Sequence, residues 1–494
     1  MQKKNYGMKE KIKELSKDTI LYGISTIIGR FLNFILVPFY TNVFSTTENG
    51  VFNNVYAYIA FFNVVYIYGM DAAFMKLFST ADQNKKKDTF STPYVFVLAT
   101  SILFSLILIL FKKSFLQLME IKPEYSFLHS YLVFILLFDT LALIPFANLR
   151  LHRKVIKFTS IKITNIFINL ALNLILILKF KMGIEAIFIA NLAASVFSFV
   201  AITPDIFANL RFKIDKEILK KMLYFGLPYL PASVSATIVQ VIDRPLVQAM
   251  TNTETLGIYS ANYKLGIFMM LFVTMFNFAW QPFFLTNAKE ENAKQLFSKI
   301  LTLFLLVASM IWIVLTLFVD DFARWQILPG RSIIGKEFLS GLSIVPVILL
   351  GYLFNGIYYN FQAGLYIEEK TKYFPIVTGL GALVNICVNI LLIPRLGIMG
   401  AALATLAAYI VMAAGLFYFS QKVYKIEYEY ARITKIISLI FVTGGVYYYL
   451  LYNVGLTLPI KLVLLCGFVS SIFILRVLNL SEFIKLSKKL LRIR

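Results

Sequence analysis

Apolar residues in this chain fall in long unbroken runs rather than in alternation. The stretch 15–74 shows the plan, with two runs at roughly 18–40 and 51–73, each long enough to cross a bilayer as a helix of about 20 residues. Similar runs follow at about 90–111, 126–148, 157–178, 184–203, 222–249, 257–281, 298–319, 339–361, 373–393, 397–420, 432–452 and 456–478, separated by short polar segments. A backbone in lipid satisfies its polar groups only as a helix or in a closed barrel, and these runs lack the alternation of barrel strands. The pattern therefore predicts an all-α polytopic membrane protein with about fourteen transmembrane helices. Pro228 and Pro231, beside Gly226, predict that the seventh helix is broken.

Composition agrees with this reading. The 494 residues are 59% hydrophobic and only 15% charged, against about 25% charged in ordinary soluble domains. Mean hydropathy is +0.75. No stretch is polar enough to be a soluble domain, and the largest outward loop, 320–338, is too small to build its own core. The net charge of +22 comes from alternate loops: roughly 33 Lys and Arg lie on one side and roughly 9 on the other. The first segment, with Lys3, Lys4, Lys9, Lys11, Lys13 and Lys17, is on the rich side. Both termini are thus expected in the cytoplasm. No nucleic-acid partner is expected, because no basic region has a recognisable nucleic-acid fold. The first run is too long for a signal-peptide core and lacks a small-residue cleavage site, so it is expected to remain as a helix. Cys387 and Cys466 fall inside apolar runs and read as small core residues. The tail NLSEFIKLSKKLLRIR reads either as a basic interfacial helix or as a plain positive-inside anchor.

An internal repeat is visible. RKVIKFTSIKITNIFINLALN (153–173) aligns without gaps on EKTKYFPIVTGLGALVNICVN (369–389), pairing Asn169 with Asn385 and Asn173 with Asn389. GIEAIFIANLAAS (183–195) matches GIMGAALATLAAY (397–409), and TTENGVFNNVY (46–56) resembles TETLGIYSANY (253–263). The expected division is a basic segment 1–17, a six-helix bundle 18–203, a linker 204–221, a second six-helix bundle 222–420, and two extra helices with a basic tail at 421–494. The halves start on the same side, so the repeat is parallel, a build that leaves a cleft between two bundles.

Charges inside apolar helices cost at least about 2.5–3.5 kcal/mol on insertion scales, so they face a partner or water. Arg30, Lys162, Arg244 and Lys264 are candidates for a cationic cavity. Asp71, Asp139 and Asp243 are the acids that could sense a coupling ion or form ion pairs. Arg30 reads either as a cavity cation or as one member of a buried pair with Asp71 or Asp139. Asp243–Arg244, followed at once by Pro245, reads either as a kink near the outer end or as a local pair. Lys162, Asn165, Asn169 and Asn173 make one polar stripe on the fifth helix, with Thr378, Asn385 and Asn389 as its counterpart on the eleventh. Such asparagines either join helices by hydrogen bonds or form a hydrophilic wall. No phosphate-binding loop is present, and neither His129 nor His152 has metal ligands at useful spacing, so no metal, cofactor or enzyme activity is expected.

Finally, KDTILYGISTIIGRFLNFILVPFYTNVFS (17–45), GMDAAF (69–74) and the stretch 351–405 resemble bacterial polysaccharide flippases. These are the O-antigen and capsule repeat-unit translocases of the multidrug/oligosaccharidyl-lipid/polysaccharide exporter superfamily. The resemblance covers essentially the whole chain. It implies two six-helix bundles plus two helices in the bacterial cytoplasmic membrane, moving an undecaprenyl-pyrophosphate-linked oligosaccharide to the outer leaflet. The implied partners are that lipid-linked glycan, the bilayer, and a polysaccharide polymerase with its chain-length regulator. A proton or sodium gradient is the implied drive. Arg30 matches a cavity-arginine position of the family; the acidic first-helix site of some drug exporters of the superfamily has no counterpart here, and Arg30 in the middle of that helix weighs against drug/cation antiport. Two other readings remain: a drug or metabolite exporter on the same fold, and a membrane-embedded polymerase or glycosyltransferase.

Overall fold

The computed structural model describes residues 34–478 together with Gly29 and Phe31. The expectations for Arg30, the basic segment 1–17 and the tail 479–494 lie outside the described residues. Helices follow the hydropathy pattern. In chain order they are α1 (Phe34–Val43), α2 (Thr46–Ile67), α3 (Met70–Thr80), α4 (Lys86–Leu110), α5 (Lys112–Leu118), α6 (Leu128–Leu151), α7 (Val155–Leu174), α8 (Glu185–Asn209), α9 (Lys216–Gly226), α10 (Tyr229–Val241), α11 (Asp243–Met250) and α12 (Thr253–Tyr263). Then come α13 (Ile267–Asn287), α14 (Ala293–Arg324), α15 (Val345–Ile367), α16 (Tyr373–Leu396), α17 (Ile398–Val423), α18 (Tyr430–Asn453) and α19 (Leu458–Ile474). Among the described residues eleven helices are long and apolar enough to cross a membrane, or twelve with the bent pair α9–α10. Of the first expected run the described residues include α1, and the last run holds the shorter apolar helix α19.

Local chemistry sets the boundaries that hydropathy leaves vague. Ser45 and Glu48 start α2 with a reciprocal cap: the Ser45 hydroxyl accepts from the Glu48 amide at 3.2 Å, and the Glu48 carboxylate accepts from the Ser45 amide at 2.9 Å. The second span bends at Tyr68 and Gly69, both left-handed (φ 35° and 76°), and runs on as α3 to Thr80, beyond the expected end near 73. The seventh span breaks as the prolines predict. Asp215 caps α9 by accepting from the Glu217 and Ile218 amides, α10 restarts after Pro228, and the two helices differ by 42°. In the loop 320–338, Gln326–Leu328 (β1) and Arg331–Ser332 (β2) pair as a small antiparallel hairpin, turned by Gly330 at φ +78°. Two strands of three and two residues are too short to leave a periodic signature.

Three buried clusters hold the helices together. One draws on residues 36–188 and a second on residues 68–222, both in the first half of the chain. The third is built almost wholly from residues 239–477, with Phe34 and Val37 of α1 joining it. Cys387 and Cys466, expected in such cores, instead lie exposed on outward helix faces. An apolar residue in a lipid-facing helix need not be buried against protein, and the sequence pattern does not separate the two.

The halves meet at two glycine crossings. A Cβ on Gly50 of α2 would fall 1.9 Å from the Thr253 carbonyl oxygen, and one on Gly257 of α12 would fall 1.8 Å from that of Thr46. These four residues are repeat counterparts, so the contact is reciprocal about a local two-fold axis. At the opposite ends, a Cβ on Gly69 would fall 2.3 Å from the Gly226 carbonyl oxygen, and the Lys76 ammonium lies 4.2 Å from the centre of the Phe225 ring. The broken span divides its packing accordingly. α9 packs on α3, while α10 and α11 pack on α16 and also touch α2. The two extra helices dock on α14. Lys461, almost fully buried, pairs with Asp321 at 2.5 Å, and the Tyr448 hydroxyl donates to the Ser343 carbonyl at 2.7 Å.

Candidate functional site

Between the two crossings lies a cavity of about 530 Å³. Its walls come from both halves: α1, α2, α7 and α8 on one side, and α10 to α13 with α15 on the other. Among the described residues two cations line it, Arg244 at the start of α11 and Lys264 in the turn joining α12 to α13. The single-residue break at Ile242, between α10 and α11, puts Arg244 in the first turn of α11. Its guanidinium donates to the Gln240 carbonyl at 2.7 Å and to Asp243 at 3.2 Å, and stands 4.9 Å from the Tyr263 ring centre. Asp243 lies behind it, buried, and also accepts from the Tyr259 hydroxyl and from the Arg244 backbone amide at 3.1 Å. Lys264 rests against Phe52, 5.3 Å from its ring centre. Among the described residues it has no carboxylate within ion-pair distance. The Arg244 charge is thus partly offset and the Lys264 charge is not.

The polar stripes are wired alike in the two halves. Asn173 donates to the Asn169 backbone carbonyl at 2.8 Å and side-chain oxygen at 3.0 Å. Asn389 makes the same two bonds to Asn385, both at 2.9 Å. The Tyr40 hydroxyl donates to the Asn173 side-chain oxygen at 2.8 Å. The matching oxygen of Asn389 is fully buried and meets no partner among the described residues. Asn165 and Asn169 line the cavity, whereas Asn173, Asn385 and Asn389 are sealed inside their bundles.

The structure thus brings Arg244, Lys264, Asn165 and Asn169 together and sets Asp243 directly behind them. Lys162 is not among the lining residues. It points into its own bundle, with its ammonium 4.3 Å from the Phe146 ring centre and Asp139 as its nearby countercharge. Asp139 sits beside Ser195, and Asp71 occupies the first turn of α3, away from the cavity lining. Several polar lining residues escaped the sequence reading, among them Asn53, Asn191, Tyr56 and Tyr263. They carry no charge, so no cost of insertion draws attention to them, although three lie in the matched segments TTENGVFNNVY and TETLGIYSANY. Among the described residues no group of three His, Cys, Asp or Glu could hold a metal.

Two six-helix bundles closing on a cation-bearing cavity, with two further helices docked outside, define a polytopic membrane protein of the flippase and exporter fold. The lipid II flippase MurJ in an inward closed conformation superposes with a TM-score of 0.73 at 18% identity, covering 91% of this chain and 98% of that one. An inward-facing multidrug resistance MATE family transporter of the MOP superfamily gives 0.66 at 13% identity over 83% and 96%. A MOP superfamily transporter from Pyrococcus furiosus gives 0.57 at 16% identity over 82% and 95%. No curated protein sequence matches the chain. Residues 15–287 match the family described as polysaccharide biosynthesis protein, and the chain belongs to that family.

Proposed function

We propose that this protein is a flippase that moves an undecaprenyl-pyrophosphate-linked oligosaccharide across the bacterial cytoplasmic membrane for surface polysaccharide synthesis, with both termini in the cytoplasm. The observation that carries the reading is the pair Arg244 and Lys264 in a cavity between two bundles. Positive charges screened from bulk water offer a pyrophosphate strong charge-assisted hydrogen bonds. Family membership supports the glycan as cargo, and the MurJ-like fold supports translocation rather than synthesis. In this reading the polyprenyl tail stays in the bilayer while the headgroup enters the cavity, and a polymerase with its chain-length regulator receives it outside.

The bundles rock about the cavity. The Gly50–Gly257 crossing closes the outer end, and the Gly69–Gly226 crossing closes the inner one. Of the three candidate coupling acids, Asp243 is the one that contacts a cavity cation among the described residues. A proton or sodium ion arriving at Asp243 would loosen its hold on Arg244 and free that charge for the substrate, which couples an ion gradient to headgroup binding. Among the described residues, neither Asp71 nor Asp139 pairs with Arg244 or Lys264.

The test uses inverted vesicles from cells that lack the protein, supplied with the full chain or with variants, and follows which leaflet holds the lipid-linked glycan by its access to a glycan-cleaving enzyme. Lys264→Gln should slow translocation at least tenfold without loss of protein, because Lys264 supports no ion pair among the described residues. Arg244→Gln should slow it as well, and should also destabilise the fold by about 3 kcal/mol by stranding Asp243. Normal translocation by the Lys264→Gln, Arg244→Gln double variant would sink the cation reading. A complete glycan lipid on its usual leaflet, with altered drug resistance instead, would identify an exporter on the same fold.

A further inference from the structure

The cavity is divided chemically, and the division follows the two halves. On the second-half wall the charged groups are hydrogen-bond donors only, Arg244 and Lys264. The first-half wall carries no charge among the described residues and presents four amides, Asn53, Asn165, Asn169 and Asn191. How these amides are anchored decides which atom each has left to offer. The Asn165 NH₂ donates to the Ala194 backbone carbonyl at 2.6 Å and to the Ser198 hydroxyl at 2.9 Å. The Asn53 NH₂ donates to the Asn49 backbone carbonyl at 2.7 Å. A backbone carbonyl can only accept, so both side chains are fixed with their oxygens as the remaining group. Asn191 donates to the Tyr56 hydroxyl at 3.0 Å, which leaves its oxygen too. Only Asn169 is reversed: its oxygen takes the Asn173 amide, and its NH₂ remains. Among the described residues none of these four remaining atoms has a hydrogen-bond partner, and none is fully buried without one.

We infer that the first-half wall is a sugar-reading subsite, in which the carbonyl oxygens of Asn53, Asn165 and Asn191 accept hydrogen bonds from the hydroxyl or acetamido N–H donors of the sugar next to the pyrophosphate. This rests on the lipid-pyrophosphate reading above. Carbonyl oxygens repel phosphate oxygens as surely as they attract hydroxyl hydrogens, so the wall also orients the headgroup: pyrophosphate toward the second half, first sugar toward the first. The anchoring bonds join helices while the remaining atoms recognise, so one set of asparagines does both jobs with different atoms. Specificity for the first sugar then belongs to α2, α7 and α8, and the requirement for a pyrophosphate belongs to α11 and the α12–α13 turn.

Binding by the purified full-length protein is measured for undecaprenyl pyrophosphate alone and carrying one N-acetylglucosamine, one glucose or one galactose. The wild-type protein should hold at least one glycosylated form more tightly than the bare lipid. Asn53→Leu and Asn165→Leu should each weaken that form about three- to tenfold, the size of one neutral hydrogen bond, and leave the bare lipid within about twofold. Arg244→Gln should weaken every form together. Retained bare-lipid binding doubles as the fold control; if a leucine variant loses it along with its thermal transition, Asn165→Ser and Asn53→Ser replace it. The inference is overturned if the wild-type protein prefers none of the three sugars over the bare lipid, if the asparagine variants leave the preference intact, or if folded variants weaken bare and glycosylated lipid alike. Failure of the wild-type protein to bind any of the four lipids would overturn the pyrophosphate reading itself, an outcome distinct from those three.

Discussion

Replacing Gly50 with alanine should force open the outer crossing. The added methyl would stand 1.9 Å from the Thr253 carbonyl oxygen, where a carbon–oxygen contact needs about 3.3 Å. α2 and α12 must therefore part by about 1.4 Å, and the obstacle is backbone rather than a side chain that could swing aside. Overpacking of this kind costs about 1–3 kcal/mol, charged only to the state in which the crossing is closed. The equilibrium between closed and open outer ends should shift about 5- to 150-fold. In a chain with Cys387→Ser, Cys466→Ser and Asn53→Cys, the reaction of the single introduced thiol with a charged, membrane-impermeant maleimide from outside reads that shift directly. Gly50→Ala should raise the rate by this factor, and Gly257→Ala should match it, because its methyl would meet the Thr46 carbonyl at 1.8 Å. Labelling at the parent rate in both variants, with unchanged melting, would refute the crossing as the outer closure. A large effect in only one would refute the two-fold symmetry of the contact.

The docking of the last helix yields a prediction in which the sign is the test. Lys461 is buried whereas Asp321 is more than half exposed, so Asp321→Asn strands a buried ammonium and should lower stability by about 3 kcal/mol in detergent melts, while Lys461→Met removes the charge and should lie within about 1 kcal/mol of wild type. Equal losses would mean the pair is held for its attraction rather than tolerated for its burial. At the start of α9, the Ile218 and Glu217 amides, aided by nearby Lys85 and Lys213, hold the Asp215 carboxyl below its ordinary pKa. The cap is therefore fully present above the unfolded value of about 3.9, and is lost as pH falls through the lower folded value. Hydrogen exchange at the Glu217 and Ile218 amides, corrected for intrinsic rates, should accelerate only in that acidic window, and Asp215→Asn should remove most of the pH dependence.

Much of the architecture was legible because lipid imposes one rule on every span. Runs of about 20 apolar residues gave the helices, Pro228 gave the break, and the matched asparagines gave a repeat whose hydrogen bonds recur within 0.1 Å or so of one another. Other features depend on information a linear pattern does not hold. Asp71 and Lys76 dilute the hydropathy past residue 70, which hid the continuation of the second span into α3. Arg244 and Lys264 stood out as cavity candidates because a charge in an apolar helix is costly, yet the same reasoning selected Lys162, which finds Asp139 inside its own bundle. Cost reveals that a charge has a solution but not whether that solution is a cavity or a neighbour. Asn53 and Asn191 cost little to insert and so left no mark, although they form half of the uncharged wall.

The distance between the two glycine crossings sets the leverage of the machine. Nineteen residues separate Gly50 from Gly69, about 28 Å of helix at about 1.5 Å per residue. If the outer crossing acts as a fulcrum, a tilt of about 10° carries the far end roughly 5 Å, enough to part Gly69 from Gly226 and draw Lys76 off Phe225. A motion barely felt by the packed carbonyls at one end becomes a doorway at the other, and the residues with the smallest side chains set the stroke for the whole molecule.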